Sequence, residues 1–97
     1  KASPSKLRPQ AFQLMPPYPN PFNPSTQLEF FLPRASELEL KVFDLLGREV
    51  ASIAQGSFAA GTHSFPFHGS DLASGVYFAA LIVDAEQLMT QKLLLMK

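Results

Sequence analysis

Few residues of this chain could do chemistry, and their spacing decides each case. A Ser-His-Asp grouping can be written from Ser64, His68 and Asp71. Acyl transfer needs a nucleophile, a base and an orienting acid in mutual reach. No Gly-x-Ser-x-Gly elbow is present, so the three read as turn and surface residues. Glu37 and Glu39 are spaced to share one face of a strand. Glycoside cleavage needs two carboxylates across a cleft, in different environments. With Lys41 next on that face, the pair reads as a solvated charged row. His63 and His68 supply two nitrogen ligands, which do not define a zinc site. Asp44, Asp71 and Asp84 are oxygen donors without the spacing of a calcium loop. No glycine-rich phosphate loop exists. Catalytic, metal and cofactor sites are therefore not expected. The aromatics Tyr18, Phe22, Phe31, Phe43 and Phe58 are candidates for exposure. They could stack on sugar or protein, or be core, cover or an oligomer contact.

The elements that would position these residues follow from length and patterning. Ninety-seven residues make one domain at most. Such a chain buries roughly 60–65% of its unfolded surface, enough for one modest core. Hydrophobic residues are 46% of it and Phe occurs nine times, which excludes disorder. The formal net charge is zero, which argues against a broad basic face for nucleic acid. Zero charge also gives little protection against self-association, so a homodimer is allowed. Cysteine is absent, so there is no disulfide framework. No apolar run reaches the ~18–20 residues of a membrane span. Lys1 to Pro4 has no hydrophobic signal core, so the chain reads either as cytoplasmic or as a piece of a longer exported protein.

Residues 1–11 read as a linker tail and 12–97 as a single domain. Residues 16–24 hold five of the nine prolines and exclude helix and central strand. With Tyr18 and Phe22 inside it, this run reads as a stiff cap on the core. Thr26–Phe30, Glu37–Val42 and His63–Phe67 alternate at period two, the strand signature. Val50–Ala54, Val76–Val83 and Gln87–Met96 are apolar runs, and Val76–Val83 suits a strand covered on both faces. Pro66 lacks an N–H, so its strand should be an edge or carry a bulge. Gly47, Gly56, Gly61, Gly69 and Gly75 fall between the runs and mark turns. No amphipathic stripe of helical length is present. Short strands at this spacing indicate an all-β antiparallel sandwich. The last run, with Lys92 and Lys97 flanking Leu93, Leu94, Leu95 and Met96, reads as a final strand. Being uncapped and at the chain end, it could be gripped by strand addition.

Four blocks in order, with the ending, resemble the type A C-terminal sorting domain of type IX secretion. The opening Tyr18-Pro19-Asn20-Pro21-Phe22-Asn23-Pro24-Ser25-Thr26 is similar to that family's Y-P-N-P-F-N-P-S-T. Asp44 to Val50, with Gly47 and Arg48, resembles its D-x-x-G-R-x-V turn. Gly61-Thr62-His63 resembles a strand start, and Leu72 to Phe78 resembles L-x-S-G-x-Y-x. Lys92 to Lys97 resembles its K-x-L-L-x-K end. Phe67-His68 stands where the family often carries Trp followed by Asp or Asn.

The resemblance implies an Ig-like β-sandwich of about seven strands. It implies a cargo address rather than a catalyst. An upstream passenger would be carried through the periplasm to the cell surface or medium. The partners it implies are the outer-membrane type IX translocon and a sortase-like peptidase. Lys92 to Lys97 would be the recognised end. Pro19 to Pro24, Asp44, Gly47, Arg48, Gly75 and Tyr77 would be determinants of the fold, with Gly47 and Gly75 at positive φ. Tyr77 would pack inward with its hydroxyl bonded. Two other readings suit a small sandwich: a carbohydrate-binding module and an Ig-like spacer of a modular surface enzyme. The lack of Trp weighs against the first. The specific ending weighs against the second.

Overall fold

The structure, a computed structural model, describes residues 11–97. Alternating residues build its strands. In β2 (Ser25–Leu32), Thr26, Leu28, Phe30 and Leu32 point inward and are buried, while Gln27 and Glu29 face out. In β3 (Ser36–Phe43), Leu38, Leu40 and Val42 are buried. The other strands are β1 (Gln13–Leu14), β4 (Glu49–Phe58), β5 (Gly61–His68), β6 (Gly75–Val83) and β7 (Glu86–Leu95). Helix is absent from the described residues.

The seven strands form two antiparallel sheets, ordered β1-β2-β5 and β4-β3-β6-β7. Apolar side chains of the two inner faces meet between them. Leu28, Phe30, Leu32, Leu40, Val42, Leu81, Leu93 and Leu95 have essentially no exposed surface. Thr26 is the one buried polar side chain among those described, and its hydroxyl donates to the Pro19 carbonyl at 2.6 Å. The fold is the expected β-sandwich.

Local differences have physical causes. Strand β1 is two residues long and too short to show a period. Gly56 is not in a turn: it lies inside β4 at φ +130°, paired with Leu38. Strand β4 therefore continues to Phe58. Strand β6 is not fully covered on both faces. Tyr77, Ala79, Leu81 and Val83 are buried, but Val76, Phe78 and Ile82 on the outer face are half-exposed. Only Ala80 is buried there, because Lys41 and Thr90 flank its small side chain. Pro66 does lie on an edge strand, β5. The expected linker, residues 1–11, falls outside the described residues except for Ala11.

Candidate functional site

The proline-rich segment and the last strand meet, although they stand at opposite ends of the described chain. Phe22 is buried, with its ring tilted against Phe67 at a centroid distance of 5.8 Å. Its backbone forms a parallel bridge with Leu95. The Phe22 N–H donates to Leu94 O at 2.9 Å, and the Met96 N–H donates to Phe22 O at 3.0 Å. Asn20 extends the pairing through its side chain. Its Nδ2 donates to Lys92 O, and its Oδ1 accepts from the Leu94 N–H, both at 2.9 Å. A carboxamide presents one donor and one acceptor side by side, as a peptide group does. Asn20 thus pairs with a strand edge as backbone would. The expected cap is therefore real, and it occupies the edge that sequence reasoning left open on the last strand.

Burial divides the six expected recognition residues. Leu93 and Leu95 are wholly buried in the core, and Leu94 is half-buried. Lys92, Met96 and Lys97 are exposed. Lys97 is tied back, with its N–H on Ser74 Oγ at 3.0 Å and its Nζ on Ser70 O at 2.6 Å. The leucines of this ending hold the strand in place, and the accessible chemistry is two cations and a thioether.

The other motif residues shape turns at the same end of the sandwich. The Asp44 carboxylate accepts from the Leu46 and Arg48 N–H groups, each at 2.9 Å, and from Arg48 Nε at 2.8 Å. The Arg48 backbone bond, foremost, with the Arg48 and Leu46 contacts added, holds the Asp44 carboxyl below its ordinary pKa. Gly47 takes φ +82°, and its N–H closes the turn on Asp44 O at 3.0 Å. This rigid turn displays Leu45 and Leu46 at 68% and 77% exposure. Gly75 stands at φ +155°. The Tyr77 hydroxyl donates to Ala73 O at 2.6 Å and its ring is buried. A shallow hollow runs between the two turns, lined by Asp44, Leu46, Arg48, Ser74, Gly75 and Tyr77.

Sequence reasoning reads Gly69 as a turn glycine and misses its second role. A Cβ there would meet Leu95 Cδ2 at 2.9 Å and Phe22 Cε2 at 3.4 Å, so the capping segment and the last strand close over a bare backbone. The Gly69 N–H also donates to Pro24 O at 2.7 Å. No local signal marks the crowding, because it comes from residues far away in sequence.

The catalytic and metal alternatives are not assembled. Ser64 and His68 both face out from β5, four residues and roughly 13 Å apart along the strand. Ser64 Oγ instead donates to Gln27 Oε1 at 3.1 Å. His63 Nε2 lies 2.8 Å from Ala59 O. Glu37 accepts from Ser57 Oγ. Glu39 joins a row in which Lys41 bonds Glu49 at 3.1 Å. The Glu49 hydrogen bond, chiefly, raises the Lys41 pKa. Among the described residues, no three His, Cys, Asp or Glu side chains gather into a metal-holding group. The five aromatics that could be either displayed or packed divide between the two readings. Phe22 is core, and Phe58 packs edge-on to Phe30 and Phe65. Phe31 and Phe43 are half-buried, and Tyr18 alone of the five is freely exposed, at 80%.

A family model described as the secretion system C-terminal sorting domain matches residues 17–96. The chain belongs to this family. The match begins in the capping segment and ends in the last strand, so it takes in both halves of the contact described above. No curated protein matches the sorting domain. Among solved structures, it is similar to part of the alkylpurine DNA glycosylase AlkC of Pseudomonas fluorescens, solved bound to DNA containing an abasic site analog. The TM-score is 0.61 at 15% identity, over 90% of this chain and 30% of that one. At that identity the likeness shows a shared fold alone. Membership makes this domain a type IX secretion sorting signal.

Proposed function

We propose that this domain is read at the outer membrane as the address of its passenger, through the exposed Lys92, Met96 and Lys97 beside the Asp44–Arg48 turn. The observation that carries this is the family match over residues 17–96, together with the meeting of its first and last blocks at one end of the sandwich. The translocon would take a folded domain. A sortase-like peptidase would then cut in the linker, residues 1–11, that precedes the domain at 12–97. The passenger would be released or joined to the cell surface. No catalytic step is assigned to the domain itself.

The test fuses residues 1–97 to a periplasm-directed fluorescent reporter, in a host with type IX machinery and in a machinery-null strain. The expected result is reporter at the surface or in the medium of the intact host only. Reporter held in the periplasm of both strains would end the proposal. Truncating Leu93–Lys97 is a poor variant, because it also removes two core leucines. The exposed trio K92A/M96S/K97A spares the core and should abolish export while leaving the melting curve close to that of the unaltered domain.

A further inference from the structure

A sheet edge presents unpaired N–H and C=O groups to any passing strand, and folded proteins blunt such edges. All four edges here are blunted, by different means. Strand β1 has two residues. Strand β5 carries Pro66. Strand β4 carries two register shifts, at Leu40/Lys41 and Val42/Phe43, which leave Ile53 and Val50 as extra residues. In each case the guard is part of the strand and cannot leave it. Strand β7 differs. Toward its end, its outward groups are taken up by a separate segment, Asn20–Phe22.

That segment behaves as a short added strand. It runs parallel to β7 at the Phe22–Leu95 bridge and seats an aromatic ring against Phe67 and Gly69. Its contacts along β7 use one side-chain amide and one residue of backbone. A true strand could repeat every one of these bonds with backbone alone.

We propose that Asn20–Phe22 is an intramolecular placeholder, and that the sorting machinery recognises β7 by adding an extended strand of its own to the edge the placeholder vacates. The incoming strand runs parallel to β7 and brings an aromatic or large aliphatic side chain to the seat of Phe22. Main-chain pairing supplies affinity and the seat supplies selectivity. Until that exchange the edge is closed, so the domain crosses the periplasm without offering a strand to the wrong partner. This rests on the sorting reading above, and the experiment separates the two.

Two measurements test it. Amide hydrogen exchange on the 1–97 chain reads whether the placeholder opens in the folded domain. The Leu94 and Met96 amides, which bond the placeholder, should exchange at least about tenfold faster than the amides by which β7 pairs with β6. Exchange of all of them at one common slow rate would overturn the proposal, since the edge would then open only on global unfolding. The second measurement locks the segment. Asn23 and Met96 lie one residue beyond the bridged pair and are both exposed. Neighbouring strands are about 4.8 Å apart, within the span of a disulfide. The chain has no cysteine, so N23C/M96C has a single way to pair. In the reporter assay the oxidised pair should fall to the machinery-null level, well below N23S/M96S, which lacks the same Met96 side chain but carries no lock. Equal export of the locked and serine forms would overturn the placeholder and leave the sorting reading standing. Failure of the unaltered fusion would remove both.

Discussion

Strands β4 and β7 are the two margins of one sheet, each ten residues long, and they are closed by opposite means. Strand β4 protects itself through bulges that interrupt its own pairing. Strand β7 is regular toward its end and is protected by a segment more than seventy residues away in sequence. A self-guarded edge is secure but fixed. A covered edge keeps a regular stretch of strand in reserve. The difference predicts where stability and recognition are coupled. At β4 a change should affect little beyond its neighbours. At β7 one change should disturb the core and the edge together.

The largest effect tests that coupling directly. Phe22→Ala removes a buried ring and loosens the placeholder, and should lower unfolding stability by about 3–5 kcal/mol. Ile53→Ala, at a half-exposed bulge, should cost less than about 2 kcal/mol. Urea titration of both variants checks this. Equal losses would mean that the two margins are alike after all.

Gly69 comes next. Its backbone is not in the positive-φ region, so alanine there is a purely steric insult against Leu95. Gly69→Ala should destabilise by about 1–3 kcal/mol, as overpacking does. The double variant with Leu95→Ala should be less destabilised than the sum of the singles, because the clash disappears with its partner. Strict additivity would show that Gly69 is not the point over which segment and strand close.

How far the fold could be read in advance tracks how local each cause is. The alternation of Glu37–Val42 names the buried face of β3 without further information, because a strand's period is set by its own backbone. Pro66 marks an edge for the same reason. Gly56 misleads, since a glycine at positive φ can break a chain or sit in a strand, and only the pairing with Leu38 decides. Phe22 is legible only in part. The proline run around it reads as a cap on the core, but its seat against Phe67 and Gly69 is made by distant residues. The site was half legible. Its motifs stand in the sequence, but the closure of the β7 edge does not, because nothing in Asn20 announces that its amide will pair with Lys92 and Leu94.

A smaller effect sharpens the account of the motif turns. Tyr77→Phe removes a hydroxyl bonded to Ala73 O and should cost about 0.5–1.5 kcal/mol. Export should be unaffected if Tyr77 serves the fold alone. A loss of export at near-normal stability would instead place the Leu72–Phe78 block in the recognised surface.

The smallest effect separates the margins by pH. The placeholder's bonds to β7 use a carboxamide and main-chain groups, none of which titrates in the working range. The β3–β4 side is held by charges. Asp44 has a lowered pKa, so its contribution is complete above the ordinary carboxylate value and is lost as pH falls through the folded-state value. Lys41 has a raised pKa, so its contribution is complete below the ordinary lysine value and is lost as pH rises through the folded-state value. Strand β4 should therefore loosen at both extremes while the cover on β7 stays closed. Hydrogen exchange at a pH below the ordinary carboxylate value should show the amides of Leu46 and Arg48 gaining exposure, after correction for intrinsic rates, with Leu94 and Met96 unchanged. In Asp44→Asn the carbonyl oxygen can still accept from the turn amides, but the charge is gone. Its melting temperature should lie below that of the unaltered domain at neutral pH, and the gap should close in acid. A gap that persists in acid would mean that the turn is held by shape rather than by the carboxylate, and the two margins would then differ in topology alone.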